Sequence, residues 1–245
     1  MDTESAFMVK YDTVGKSIGV LRLQNGRDNL VDDAVFMDLP QLKQWLYHNP
    51  FKGLIITGNG RNFSKGANVD RIRMYKDTPK ILEKQLNEGK KILSCLEALP
   101  LVTVAAIEGA CFGAGLEIAL SCNYRVAAES ALFSFPEVTL GLLPGFGGTV
   151  RLPKLIGPRE ARRLILSGDM ITARQAVGLG LADELTEKKE AFSKAVELIE
   201  GLTDNCSPSQ IKYLYDSMDQ SGAGCWPMYE KESSYFAKLL KTMDR

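Results

Sequence analysis

The chain has 245 residues, 45% of them hydrophobic and 24% charged, a globular make-up with enough length for a sizeable core. Thirty Lys and Arg balance thirty Asp and Glu, so the formal net charge is zero. That balance argues against a dedicated nucleic-acid binder, which needs a basic surface to displace counterions from phosphates.

The N-terminus, Met1-Asp2-Thr3-Glu4-Ser5, is acidic and has no apolar stretch of the signal-peptide kind. Residues 17–23 alternate apolar and polar positions and predict a strand, closed by the turn residues Asn25-Gly26-Arg27-Asp28. Residues 32–48 have helical spacing, with Pro40 marking a break or a fresh start. The run 53–57, bounded by glycine, predicts a buried strand; a loop over 58–68 and a helix over 81–99 follow. Residues 102–107 predict a strand, 113–121 a short helix and 124–128 another strand. Beyond Gly145 the expectation is mostly helical: 146–155, 159–167, 172–178, 187–203, 207–219 and 227–243.

Apolar strands alternating with helices predict an α/β fold with a parallel sheet. The expected division is an α/β core over 1–195 and a helical region over 196–245. The most apolar region, 99–122, is interrupted by Glu108, Glu117 and several glycines, so it reads as core and not as a membrane span. Five cysteines without a CxxC pair fit reduced thiols in a cytoplasmic setting. The single histidine, His48, stands at a predicted helix end, where the dipole favours it, so neither a Ser-His-Asp triad nor a histidine-rich metal site is expected.

Chemistry concentrates in three segments. Gly109-Ala110-Cys111-Phe112-Gly113-Ala114-Gly115-Leu116-Glu117 follows a strand and opens a helix; its small residues and free N–H groups favour a developing negative charge. Glu117 lies three residues past Ala114 in a helix that is otherwise apolar all round, which makes it an acid/base candidate; the alternative is a Glu that escapes to the surface or caps a neighbour. Glu137, in Ser134-Phe135-Pro136-Glu137, is a second carboxylate in an apolar setting, either capping the next helix or sharing acid and base roles with Glu117. Asn62-Phe63-Ser64-Lys65-Gly66-Ala67-Asn68 is a loop that could supply a second backbone donor. Neither a Walker loop nor a GxGxxG fingerprint is present.

These segments together resemble the enoyl-CoA hydratase/isomerase (crotonase) family, most strongly over residues 106–157 and again over 159–185. The resemblance implies a spiral of ββα turns with a C-terminal helical region, and a trimer or a dimer of trimers. It also implies enolate stabilisation on acyl thioesters of coenzyme A, with no cofactor beyond the coenzyme A or phosphopantetheine of the substrate. By the same resemblance the backbone N–H groups of Lys65 and Ala114 form the oxyanion hole and Glu117 and Glu137 are catalytic. Gly66, Ala67, Asn68 and Gly113 then contribute to substrate binding. Lys65 stands where a small residue is commoner, its side chain able to reach phosphates or to narrow the site, and Asn68 replaces the usual aspartate. The chain ends at Met243-Asp244-Arg245, about where many relatives continue with a stretch that covers the acyl-CoA site. An acyl-carrier protein is therefore the second way for the acyl group to arrive, with Arg151, Lys154, Arg159, Arg162 and Arg163 as a docking face; a solvated helix face is the plainer account of that patch. Hydration of a 2-enoyl thioester is the leading expectation because both glutamates are present. The alternatives are a Δ3,Δ2-enoyl isomerase, a carrier-linked dehydratase or decarboxylase of polyketide assembly, and a non-catalytic RNA-binding relative.

Overall fold

The first two strands, β1 (Val9–Val14) and β2 (Ile18–Leu23), pair antiparallel across a turn in which Gly15 has φ +59°. The computed structural model describes residues 8–218, 233–236 and 238–239. Helix α1 (Leu39–His48) starts afresh at Pro40: Asp38 caps it by accepting the Gln41 N–H at 3.1 Å, and residues 32–38 stay outside it. At its far end His48 Nδ1 lies 2.8 Å from Gln44 O, a contact within the helix end. Strand β3 (Gly53–Gly58) then lies parallel to β2.

Two helices, α2 (Val69–Arg73) and α3 (Pro79–Glu97), cross over to β4 (Val102–Ile107). From there the chain alternates between two sheets. β5 (Ala110–Phe112) leaves the main sheet, α4 (Ala114–Ala119) follows, and β6 (Tyr124–Ala128) returns to it. β7 (Leu132–Ser134) joins β5 and leads into a 3₁₀ turn, Pro136–Leu140. Helices α5 (Gly148–Ile156) and α6 (Pro158–Ser167) precede β8 (Ile171–Thr172), α7 (Ala173–Gly178) and β9 (Glu184–Thr186). Helices α8 (Ala191–Thr203) and α9 (Pro208–Met218) follow. The main sheet has the order β1-β2-β3-β4-β6-β9 and is parallel except for β1–β2; the small sheet has the order β5-β7-β8. This is the expected spiral, with β4 to β7 alternating between the two sheets.

The sequence pattern missed β1, β5, β7, β8 and β9: the last four, of two or three residues, are too short to show a period of two, and β1, an edge strand with one buried residue, lacks the apolar run of a core strand. Of the helix expected over 227–243, residues 233–236 and 238–239 are helical and the rest lie outside the described residues. The division expected at residue 195 falls inside α8. Ala191, Ala195 and Ile199 on that helix pack with Val20, Ile55 and Val104 of the sheet in one buried cluster. Gly53 permits this approach, since a Cβ there would stand 2.4 Å from Ile199 Cγ2.

Arg125, only 3% exposed, ties the site helix to the rest of the spiral. Its guanidinium donates to Cys122 O at 2.8 Å, just past α4, to Leu181 O at 2.7 Å, and to Asp183 Oδ2 at 2.9 Å. A planar fork of donors suits such divergent acceptors. Arg125→Ala leaves buried acceptors unpaired and is expected to cost about 3 kcal/mol in urea unfolding, with Arg125→Lys recovering only part of it.

Candidate active site

Every residue of α4 is buried, as the all-round apolar pattern requires, and Glu117 is 1% exposed. A carboxylate there needs compensation. It comes from the turn before α5: Glu117 Oε1 accepts the N–H groups of Phe146 and Gly148, both at 2.7 Å. Gly148 makes the approach possible, because a Cβ on it would stand 3.1 Å from Glu117 Cγ and 2.8 Å from the Phe135 ring. Burial pushes the Glu117 carboxyl above the usual range, opposed by those N–H groups and by the charge of Arg151.

Glu137 sits in the first turn of the 3₁₀ segment and faces α4. Its Oε1 fills the space over Gly113, where a Cβ would stand only 2.8 Å away; Gly113 has φ +48° and gives its own N–H to Ser134 O at 2.9 Å. Gly113 therefore serves the site by lacking a side chain. Glu137 Oε2 is buried without a hydrogen-bond partner among the described residues. Burial, reinforced by the nearby Glu117, pushes Glu137 up to about 7 although its own backbone N–H favours the charged form. The two glutamates thus differ in kind: one is held by backbone donors, the other has an oxygen free to meet a ligand.

The loop over 63–68 is zipped on both sides, and its N–H groups can be accounted for one by one. Phe63 donates to Glu108 O at 2.8 Å, Ser64 to Ala110 O at 3.0 Å and Lys65 to Asp28 O at 3.0 Å. Gly66 donates to Ser64 Oγ at 3.1 Å and Asn68 to Val31 O at 2.9 Å. Only the Ala67 N–H has no partner among the described residues. This corrects the expectation for Lys65, whose N–H is already committed and whose ammonium is paired with Asp28 at 3.0 Å. The Ala114 N–H, first in α4, likewise has no partner within its helix. Gly66, with φ +92°, brings the two together: a Cβ on it would stand 2.7 Å from Phe112 O and 3.5 Å from Ala114 N.

Support for this loop comes from a residue that the motifs did not single out. Asn29 is fully buried at φ +49°, and its amide lies 2.9 Å from Asn62 O, 3.2 Å from Asn59 O and 3.3 Å from Phe63 O. Its carbonyl accepts the Ser64 hydroxyl at 2.7 Å. Asn68 caps α2, accepting from Asp70 and Arg71 N–H, and donates to Asp32 at 2.7 Å.

Two cavities flank these segments. The first, about 140 Å³, is lined by Ala67, Ala114, Glu117 and Glu137, with Leu86 and Phe146 among its apolar walls. Asn68 borders it as well. The second, about 940 Å³, carries Arg27, Arg61, Lys65, Lys188 and Lys189. Lys65 and Phe112 face the basic cavity, while Ala67 and Ala114, two residues on in each segment, face the apolar one. The Ala67 and Ala114 N–H groups, both without a partner among the described residues, therefore belong to residues that line the apolar cavity. Arg151 leaves the expected basic patch, since its guanidinium turns inward to Glu97; Lys154, Arg159 and Arg162 stay exposed.

A family model for enoyl-CoA hydratase/isomerase matches residues 13–233. Among solved structures, an enoyl-CoA hydratase of Bacillus anthracis is 27% identical over 97% of this chain and 93% of its own, with a TM-score of 0.81. DspI of Pseudomonas aeruginosa is 26% identical over 98% and 92%, with a TM-score of 0.80. An enoyl-CoA hydratase of a Polaromonas species is 25% identical over 95% and 91%, with a TM-score of 0.83.

The raised Glu137 carboxyl ties stability to pH. Between its ordinary value of 4.5 and about 7 the folded chain holds a proton that the unfolded chain releases. This contribution is fully present below the ordinary value and is lost as pH rises through the folded one. Glu137→Gln removes it, so the variant should gain stability relative to wild type from pH 5 to pH 8 in paired urea melts. A difference that stays flat across that range contradicts the raised value.

Proposed function

The chain belongs to the enoyl-CoA hydratase/isomerase family, and on that premise we propose that it adds water across the double bond of 2-enoyl-CoA thioesters. One observation carries the reading: two carboxylates of unlike environment share a small apolar cavity with two unpartnered backbone N–H groups. In this reading the thioester oxygen accepts from Ala67 and Ala114. The acyl chain enters the apolar cavity, and the phosphates of the coenzyme lie toward Arg27, Arg61 and Lys65 in the basic one.

A water molecule between the carboxylates then loses a proton to Glu117 as its oxygen bonds to C3. The π electrons of the C2=C3 bond move toward C2 and the thioester oxygen, where the two N–H groups offset the growing charge. Glu137, half protonated near neutral pH, gives its proton to C2. The H and the OH added across the double bond are thereby both accounted for, and a proton exchange between the glutamates restores the start. Self-association belongs to the same reading: Leu143, Leu166 and Met170 are 69%, 72% and 63% exposed, large apolar side chains suited to a second copy.

Crotonyl-CoA should lose its conjugated enoyl absorbance in the presence of the protein. Glu117→Gln and Glu137→Gln are each expected to slow this at least about 100-fold. Ala114→Pro removes one oxyanion donor at a helix position that tolerates proline, and should cost about 100- to 1000-fold with the circular dichroism unchanged. No hydration across a panel of enoyl-CoA esters, with conversion of a 3-enoyl-CoA instead, would replace this reading with a proton shuttle between C2 and C4.

A further inference from the structure

Arg151 belongs to α5, yet its guanidinium reaches back over the turn that starts the helix. Nη1 donates to Phe146 O at 2.8 Å, while Nε and Nη2 meet Glu97 Oε2 at 3.0 and 2.9 Å. Its side chain is only 10% exposed. The turn is shaped to admit it: Gly147 has φ +104°, and a Cβ there would stand 2.5 Å from Nη1. Phe146 holds Arg151 through its carbonyl and Glu117 through its N–H, so one residue links guanidinium and carboxylate.

We propose that Arg151 is a positioning residue for Glu117: it locks the 145–148 turn onto the carboxylate and sets how much of Glu117 is ionised. The proposal rests on the reading of Glu117 as the group that takes the proton of water. The physical ground is that a buried carboxylate keeps its charge only where donors and a positive charge face it. Arg151 supplies the positive charge, and its pull counters the upward push of burial. Glu137 is the like charge on the same cavity and is itself pushed up by Glu117. Asp32, Asp33 and Arg71 line the same cavity farther along its wall. Glu97 extends the link to the acyl end of the site, because it is the last residue of α3, whose Leu82, Gln85 and Leu86 line the cavity. The wall against which an acyl chain packs and the turn that holds the base are thus joined through one arginine.

A plain strap between α3 and α5 would also use this ion pair, and the two roles part on titration. Protein labelled with 13C at glutamate carboxyls, with Glu117→Gln to assign the resonance, reports the ionisation of Glu117 directly. In Arg151→Gln and Arg151→Met the Glu117 titration should move up by at least about half a pH unit, roughly 3-fold in the ionisation constant. Arg151→Lys, which keeps the charge, should stay near wild type. The ascending limb of kcat against pH for crotonyl-CoA should move the same way in the neutral variants. An unchanged Glu117 titration in a folded neutral variant overturns the proposal. So does loss of fold in both neutral variants with a folded Arg151→Lys, which would assign the arginine's charge to holding the fold through Glu97. The carboxyl titration needs no turnover, so an inactive wild type would count against hydration and leave this result standing.

Discussion

Burying the Glu117 carboxylate is the demand around which the site is organised. In a helix with no exposed residue, bulk water does not solvate it, and an isolated charge there would be displaced by protonation or unfolding. The fold meets the demand with backbone: two N–H groups from the turn before α5 converge on one oxygen. That solution dictates its surroundings. Gly148 must lack a side chain so that the carboxylate can approach, Gly147 must turn left-handed, and Arg151 must fold inward. The glycines of Pro144-Gly145-Phe146-Gly147-Gly148 are, in this sense, the negative image of Glu117 and Arg151.

The opposite treatment of Glu137 gives the pair its chemical range. Its Oε2 is buried and unpartnered, an arrangement that costs stability and survives only where the surrounding structure enforces it. Strand β7 and the 3₁₀ turn after it do so, placing the carboxyl over the bare Cα of Gly113. Two like groups on one cavity thus acquire different proton affinities from geometry alone. The same economy appears in the loop over 63–68, where every N–H but one is spent on holding the loop in place. The remaining donor, on Ala67, belongs to a residue that lines the cavity shared by Glu117 and Glu137.

Much of this was legible in the sequence. The apolar runs that became β3, β4 and β6 and the fresh helix start at Pro40 follow from side-chain period and proline stereochemistry, which are local properties. The burial of Glu117 followed from a helix without a polar face. Gly113 and Gly66 were visible as glycines beside chemistry, although their use, clearing space for Glu137 and for Ala114, was not. Lys65 shows where motif reading fails. Position in a loop says which peptide groups are near a site, but whether an N–H is free depends on acceptors far along the chain, here Asp28 O. Arg151 fails in the same way: in the sequence it is one cation in a basic run, and its place is set by Phe146 O and by Glu97, more than fifty residues earlier.

What the sequence determined by itself is therefore the main apolar strands and helices, the core positions and the two carboxylates, because periodicity, turn chemistry and the cost of an unpaired charge are written residue by residue. The tertiary structure alone decided which backbone N–H groups remain unpartnered, which glutamate keeps a free oxygen, and which arginine faces inward. Those properties depend on pairings between distant segments, and such pairings form only when the spiral brings β5, β7 and the turns before α2 and α5 to one place.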